Sequence, residues 1–385
     1  MGYKPNLFPK REGNTSRSAH RTLPEGSVEL EHGRAGFAGP VSHLYKSHAP
    51  TRWTRIEGPL QHHSYDFNKL VPDDMNNPAG MATEILYNSQ CRISISRRKE
   101  EMPYYYRNGD GDEIIFVHRG EGMFESDYGN MTFLTGDYLV IPRGTAYRLV
   151  PKTIDNFFLI IENTDGHYDL PDRGMLGPNA QFDAALIETP KLPETVVRAE
   201  EEWEVRVKKY HKITKVWFPF NPVQDTIGWK GTVVPWKISI NDFQPVVSPS
   251  YHLPPSVHTT FVARGFVICS FVPRPLESPD VLRIPFYHSN IEYEELIFYH
   301  DGEFFSRHGI DVGNLTYHPP GIYHGPQPQA FEKVQNNPEI THTNEKAVMI
   351  DTRQPLHVTD AAKSVENLNY MNSWSEDGDN ITSIG

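Results

Sequence analysis

Pro103-Tyr104-Tyr105-Tyr106-Arg107-Asn108-Gly109-Asp110-Gly111-Asp112-Glu113-Ile114-Ile115-Phe116-Val117-His118-Arg119-Gly120-Glu121 lies without a gap over Pro285-Phe286-Tyr287-His288-Ser289-Asn290-Ile291-Glu292-Tyr293-Glu294-Glu295-Leu296-Ile297-Phe298-Tyr299-His300-Asp301-Gly302-Glu303. The offset is 182 residues throughout. A second match follows each copy in the same order, Pro142-Arg143-Gly144-Thr145-Ala146-Tyr147 over Pro319-Pro320-Gly321-Ile322-Tyr323-His324. Two matches in the same order, the second offset by 177 residues, mark a duplicated unit rather than a chance similarity. Each copy reads as a strand, a turn, a second strand ending at a glycine, and then a Pro-x-Gly turn that returns one residue toward the first strand.

That succession is the cupin pattern, and it predicts an all-β bicupin of two double-stranded β-helix (jelly-roll) barrels. The rest of the chain agrees. Its 28 glycines and 32 prolines punctuate short β-branched and aromatic runs such as Asp137-Tyr138-Leu139-Val140-Ile141 and Phe157 to Ile161, the signature of many short strands. Helical periodicity is confined to Thr359 to Asn369, with Thr359 as N-cap. The expected organisation is an extended N-terminal arm over 1–60, a first barrel over 61–190, and a second over 191–385 that ends in a short C-terminal helix. A chain of 385 residues with 37 Lys and Arg against 49 Asp and Glu, a net charge of −12, has no counter-charge to offer nucleic acid or an anionic membrane. Its two cysteines, Cys91 and Cys269, form neither a disulfide framework nor a thiolate zinc motif. No apolar run reaches spanning length, and the polar start carrying Lys4, Lys10, Arg11 and Arg17 leads us to expect a cytoplasmic protein.

The two copies differ where a metal would need ligands. The second offers His288, Glu294 and His324; the first has Tyr106, Asp112 and Tyr147 at the aligned positions. Two imidazoles and one carboxylate on one face, with other positions open, form the facial triad of non-haem Fe(II) oxygenases. Tyr106 and Tyr147 are not ordinary Fe(II) ligands, so the first barrel is expected to be structural. Glu292 and Glu295 rival Glu294. Glu294 is preferred because Asp112 follows the same turn in the other copy, and because an even spacing from His288 would place both on one side of an extended chain. His300 is read as structural, since His118 holds its place in the barrel without a metal set, and His308 and His318 are read as solvated or packing residues.

These residues carry a resemblance to the homogentisate 1,2-dioxygenase family. Its signature places the first histidine in a Pro-aromatic-Tyr-His-x-Asn run, as in Pro285 to Asn290, and the last in His-Gly-Pro, as in His324-Gly325-Pro326. Trp229-Lys230-Gly231 with Pro235-Trp236-Lys237, and His167 to Asp172 through Gly177 to Ala180, resemble further family segments. The resemblance implies an Fe(II) enzyme that puts both atoms of O₂ into the ring of a hydroquinone acid, turning homogentisate into maleylacetoacetate in tyrosine and phenylalanine catabolism. It implies a catalytic base in Tyr251-His252-Leu253-Pro254-Pro255-Ser256, where His252 is the choice and His258 its rival. Phe286, Tyr287 and Asn290 beside the metal motif, with His324, are candidate substrate contacts. A homo-oligomer, trimer or hexamer, is also implied.

The chain departs from the family in being shorter and in placing Glu303 where a substrate-contacting tyrosine is expected. An acid there would repel a substrate carboxylate, which leaves gentisate or another hydroquinone open as substrate. Two further functions fit the same ligands: isomerisation or hydrolysis at Mn or Zn, and a non-catalytic bicupin that binds a small molecule.

Overall fold

Asp112–Arg119 and Glu294–Asp301 form the central strands of the two barrels, and nearly every residue in them is buried. A strand covered on both faces needs a continuous apolar run, and Ile114 to Val117 and Leu296 to Tyr299 supply one. Side chains alternate across these strands. Ile115 and Val117 join the interior of the first barrel, while Ile114 and Phe116, together with Leu296 and Phe298, enter one core shared by both barrels. The computed structural model describes residues 10–35, 39–194, 200–284, 286–304, 307, 309–328, 330, 334 and 336–374. Pro285 of the metal motif and His308 lie outside them.

The first barrel consists of a seven-stranded and a six-stranded sheet, and the second is built on another six-stranded sheet. The first extends further along the chain than expected. Trp203–Lys209 pairs parallel to Tyr105–Asn108, and Trp236–Ser239 pairs antiparallel to Asp137–Ile141. The boundary therefore falls after Ser239 rather than at 190, because the chain beyond 200 completes both sheets of the first barrel before it crosses over. His63–Asp66 also changes sides: it borders Asn314–His318 in the second barrel. The N-terminal arm is a hairpin. Val28–Gly33 and Val41–Lys46 pair antiparallel, and the first of them lies parallel to Tyr287–Asn290, with Glu31 opposite His288. The helix near the C-terminus is one turn, Asp360–Lys363, capped by the Thr359 side chain, which accepts from the Ala362 N–H.

The duplication places equivalent residues against each other. The Nδ1 atoms of His118 and His300, 182 positions apart, are 2.9 Å from one another in the buried contact between barrels. One nitrogen must donate and the other accept, so the two rings cannot both be protonated there. Burial pushes both below the ordinary histidine range, His300 to about 4. His258 is pushed by burial, and then by Arg274 and Arg173, to about 3. The unfolded chain takes up these protons near pH 6.5 and the native chain does not, so stability must fall as pH drops from about 6.5 toward 4. For His300 alone the expected loss by pH 4 is about 3 kcal/mol. Urea unfolding of the metal-free chain at pH 7 and pH 5 checks this, and equal midpoints would contradict it.

Candidate metal centre

His288 lies on Tyr287–Asn290, Glu295 on Glu294–Asp301, and His324 follows the Pro319-Pro320-Gly321 turn. The two histidines are fixed by their own backbones. His288 N–H donates to the His324 carbonyl at 2.8 Å, and His324 N–H returns the bond at 3.0 Å. Gly325 is required beside this bridge: its φ is +152°, and a Cβ there would lie 2.7 Å from the Phe286 carbonyl oxygen. His288 Nδ1 is 3.1 Å from that same oxygen. A carbonyl only accepts, so Nδ1 donates to it and Nε2 is the nitrogen turned toward Glu295.

The carboxylate in the cluster is Glu295, not Glu294. His288 Nε2 is 3.6 Å from Glu295 Oε2, and His324 Nε2 is 3.4 Å from Glu295 Oε1. Glu294 instead accepts the Leu356 N–H at 2.7 Å through Oε2. The parity expected between His288 and Glu294 fails because the Ile291 to Tyr293 turn separates their strands, and extended alternation does not carry across a turn. The first barrel repeats the pattern one residue on. Asp112 accepts the Arg143 N–H at 2.8 Å, while Glu113 points inward and receives the Tyr147 hydroxyl at 3.0 Å. Glu113 and Glu295 are thus the equivalent inward acids.

Electrostatics suit a cation. Glu295 is fully desolvated, which alone would raise its pKa; His324, His288 and His318 outweigh this and hold it well below the carboxylate range. Burial, then His288, pushes His324 down to about 3, and neither of its buried ring nitrogens has a hydrogen bond. Two imidazoles and one ionised carboxylate, all three buried, are the donor set of a divalent metal, and they fit one. His318, read from sequence as a packing residue, supports the set: its Nδ1 is 2.8 Å from Glu295 Oε1 and its Nε2 is 3.1 Å from the Tyr370 hydroxyl. No repeat or motif marks His318, so only the fold reveals it.

A cavity of about 110 Å³ opens on His288 and Glu295. Phe271, Phe286, Ile297 and Met349 give it apolar walls, and Arg274, Arg307 and Glu345 give it charge. Phe286 alone among the expected substrate contacts, apart from the ligands, lines it. Tyr287 and Asn290 are buried but not part of the lining. Glu303 is exposed and borders a different surface cleft, so the repulsion expected from it does not arise. His252 and His258 each sit one ring behind the wall. His252 stacks on Phe286 with centroids 4.0 Å apart, and His258 packs on Phe271 at 5.2 Å. His252 faces a different group, 3.9 Å from Glu31. A base at either position would have to act past an intervening phenyl ring.

The aligned set in the first barrel borders a larger cavity of about 260 Å³. Burial, then the neighbouring Glu162, pushes Glu113 up to about 7. Tyr147→Phe should therefore leave metal content unchanged and cost about 1–3 kcal/mol, the penalty of a buried acceptor without its donor. Metal analysis beside urea unfolding separates the two effects, and any loss of metal would contradict this assignment.

Duplicated β-barrels, the second of which carries the His288-Glu295-His324 set, define a bicupin with a candidate metal centre. The chain matches the model described as Homogentisate 1,2-dioxygenase N-terminal over residues 30–240 and the one described as Homogentisate 1,2-dioxygenase C-terminal over 239–380. It belongs to the homogentisate 1,2-dioxygenase family. A Saccharolobus solfataricus protein, named provisionally as a dioxygenase, is 33% identical over 96% of this chain and 99% of its own length. Homogentisate 1,2-dioxygenase of Bradyrhizobium diazoefficiens is 28% identical over 78% of this chain and 67% of its own. That of Rhizobium rhizogenes is 30% identical over 70% of this chain and 62% of its own. The chain thus spans about two thirds of these longer enzymes. A cupin barrel protein of Leptotrichia buccalis covers 75% of the chain at 14% identity with a TM-score of 0.34. Among the described residues no helix is long and apolar enough to cross a membrane.

Proposed function

We propose that the chain is an Fe(II)-dependent ring-cleaving dioxygenase of a para-diol aromatic acid, with homogentisate as substrate and maleylacetoacetate as product, serving aromatic amino-acid catabolism. The observation that carries this reading is the convergence of His288, Glu295 and His324 beside a cavity in a chain of this family. Bound Fe(II) would supply open coordination positions at which an electron-rich ring and O₂ meet. The protein's own residues do the rest. His288, Glu295 and His324 would hold the ion. His318 fixes the carboxylate. Phe271, Ile297 and Met349 keep water from the ring. Arg307 sets positive charge in the cavity wall, which favours a substrate bearing an acidic side chain, while Arg274 is paired with Glu345 at 3.1 Å.

The test is O₂ uptake by the Fe(II)-loaded chain with homogentisate, gentisate and hydroquinone, followed by product spectra. Uptake with homogentisate is expected, and no uptake with any para-diol at full iron loading would overturn the proposal. One observation favours a second reading, a different hydroquinone acid such as gentisate. The end-to-end match is to a relative whose name gives no substrate, whereas the homogentisate enzymes match over about two thirds of their length.

A further inference from the structure

A second group of metal-ligating side chains lies where the N-terminal hairpin meets the second barrel. His20 comes from a turn in which its φ is +64°, Glu31 and His43 from the two hairpin strands, and His252 from the loop before the short helix Pro255–His258. Glu31 Oε2 is the hub: it lies 3.2 Å from His43 Nε2, 3.7 Å from His20 Nε2 and 3.9 Å from His252 Nε2. His20, Glu31 and His252 are buried, His252 at 1% exposure. Neither ring nitrogen of His252 has a hydrogen-bond partner, and its ring centroid is 3.5 Å from that of His20.

Hydrogen bonding does not account for this arrangement. Two of the three separations exceed hydrogen-bond length, and a buried imidazole without partners costs about 1–3 kcal/mol. A bound ion does account for the convergence of His20, Glu31 and His43, whose ligand atoms lie within 4.8 Å of one another. Metal–ligand bonds of about 2.0–2.2 Å at tetrahedral angles set donor atoms about 3.3–3.6 Å apart, and the observed separations bracket that range. An outer partner is present too: His20 Nδ1 is 2.6 Å from Glu29 Oε1, the carboxylate–histidine contact that orients a metal-bound imidazole.

The geometry points to a second metal site, a Zn(II) site held by His20, Glu31 and His43 where the N-terminal hairpin meets the second barrel, with the His252 ring packed beside it. It is separate from the His288-Glu295-His324 set and does not rest on the proposed reaction. Its donors come from the His20 turn and the two hairpin strands, so the ion would act as a cross-link within the arm. Because Glu31 stands opposite His288 on the neighbouring strand, that cross-link would also brace the strand carrying the first ligand of the catalytic metal.

The experiment uses the full chain, stripped by chelator and titrated with Zn(II) and with Co(II) as spectroscopic probe. The wild type should take up about two ions and the His288→Ala/His324→Ala variant about one. In that variant Co(II) should show the intense visible bands of a four-coordinate site, and adding Glu31→Gln with His43→Ala should abolish both uptake and bands. Chelation should speed tryptic cleavage at Arg34 and Lys46 about tenfold or more, since a loosened hairpin opens more often. A wild type that binds about one ion, or Co(II) bands that survive loss of Glu31 and His43, would overturn the proposal. O₂ uptake is not read in any arm, so this result is independent of the ring-cleavage test. Should the quadruple variant misfold, the wild-type stoichiometry decides by itself.

Discussion

Glu295→Gln should strip the catalytic metal from the chain, whereas Glu294→Gln should retain it. The two acids are neighbours in sequence but belong to opposite faces of one strand. Glu295 is the anionic member of the set, shared by His288 and His324. Glutamine keeps its size and loses its charge, leaving two neutral imidazoles to hold a divalent ion. Losing a direct ligand should exceed the 10–100-fold weakening typical of losing an outer partner, so affinity is expected to fall by more than about 100-fold, and turnover with it. Glu294 accepts from the Leu356 N–H and from the Tyr317 side chain, and its amide should cost about 1 kcal/mol of stability with full metal content. Iron analysis after dialysis, with circular dichroism to confirm folding, distinguishes them. Equal loss in both variants, or loss only in Glu294→Gln, would remove Glu295 from the site.

The same pair shows how far the sequence could be read. The repeat register places Glu113 on Glu295 as firmly as Asp112 on Glu294, so the duplication was visible, and so were His288 and His324. Which acid turns inward was not. Both faces of Glu294–Asp301 are buried, one against the cavity and one against the other barrel, so its apolar residues do not alternate with polar ones and the strand's phase leaves no trace in the pattern. The domain boundary was hidden for a related reason. Trp203–Lys209 reads as a strand anywhere, and only its parallel pairing with Tyr105–Asn108 assigns it to the first barrel. Arg274 and Arg307 reach the cavity from positions without a motif. His252 was found as part of a family segment, and its neighbours Glu31 and His20 come from the arm, more than 200 positions away.

His318→Leu should weaken metal binding about 10–100-fold while leaving all three ligands in place. The direction of each proton in this chain of bonds follows from chemistry. Glu295 is ionised and can only accept, so His318 Nδ1 donates to it. Burial, with Arg307 opposing the pull of Glu295, leaves His318 neutral, at about 4. Its Nε2 therefore has a lone pair and accepts from the Tyr370 hydroxyl, whose pKa burial raises. Leucine removes the donor 2.8 Å from Oε1 of Glu295, and the carboxylate can then rotate away from His324. Tyr370→Phe provides the contrast. It deletes the outer bond but leaves the Nδ1–H on Glu295, so metal affinity should change by only a few fold, with a stability cost of about 1 kcal/mol. Competition with a chelator measures both. If Tyr370→Phe weakens the metal as much as His318→Leu, the effect comes from general loosening of the barrel, and if neither does, Glu295 is held by the metal and its two histidines without help from His318.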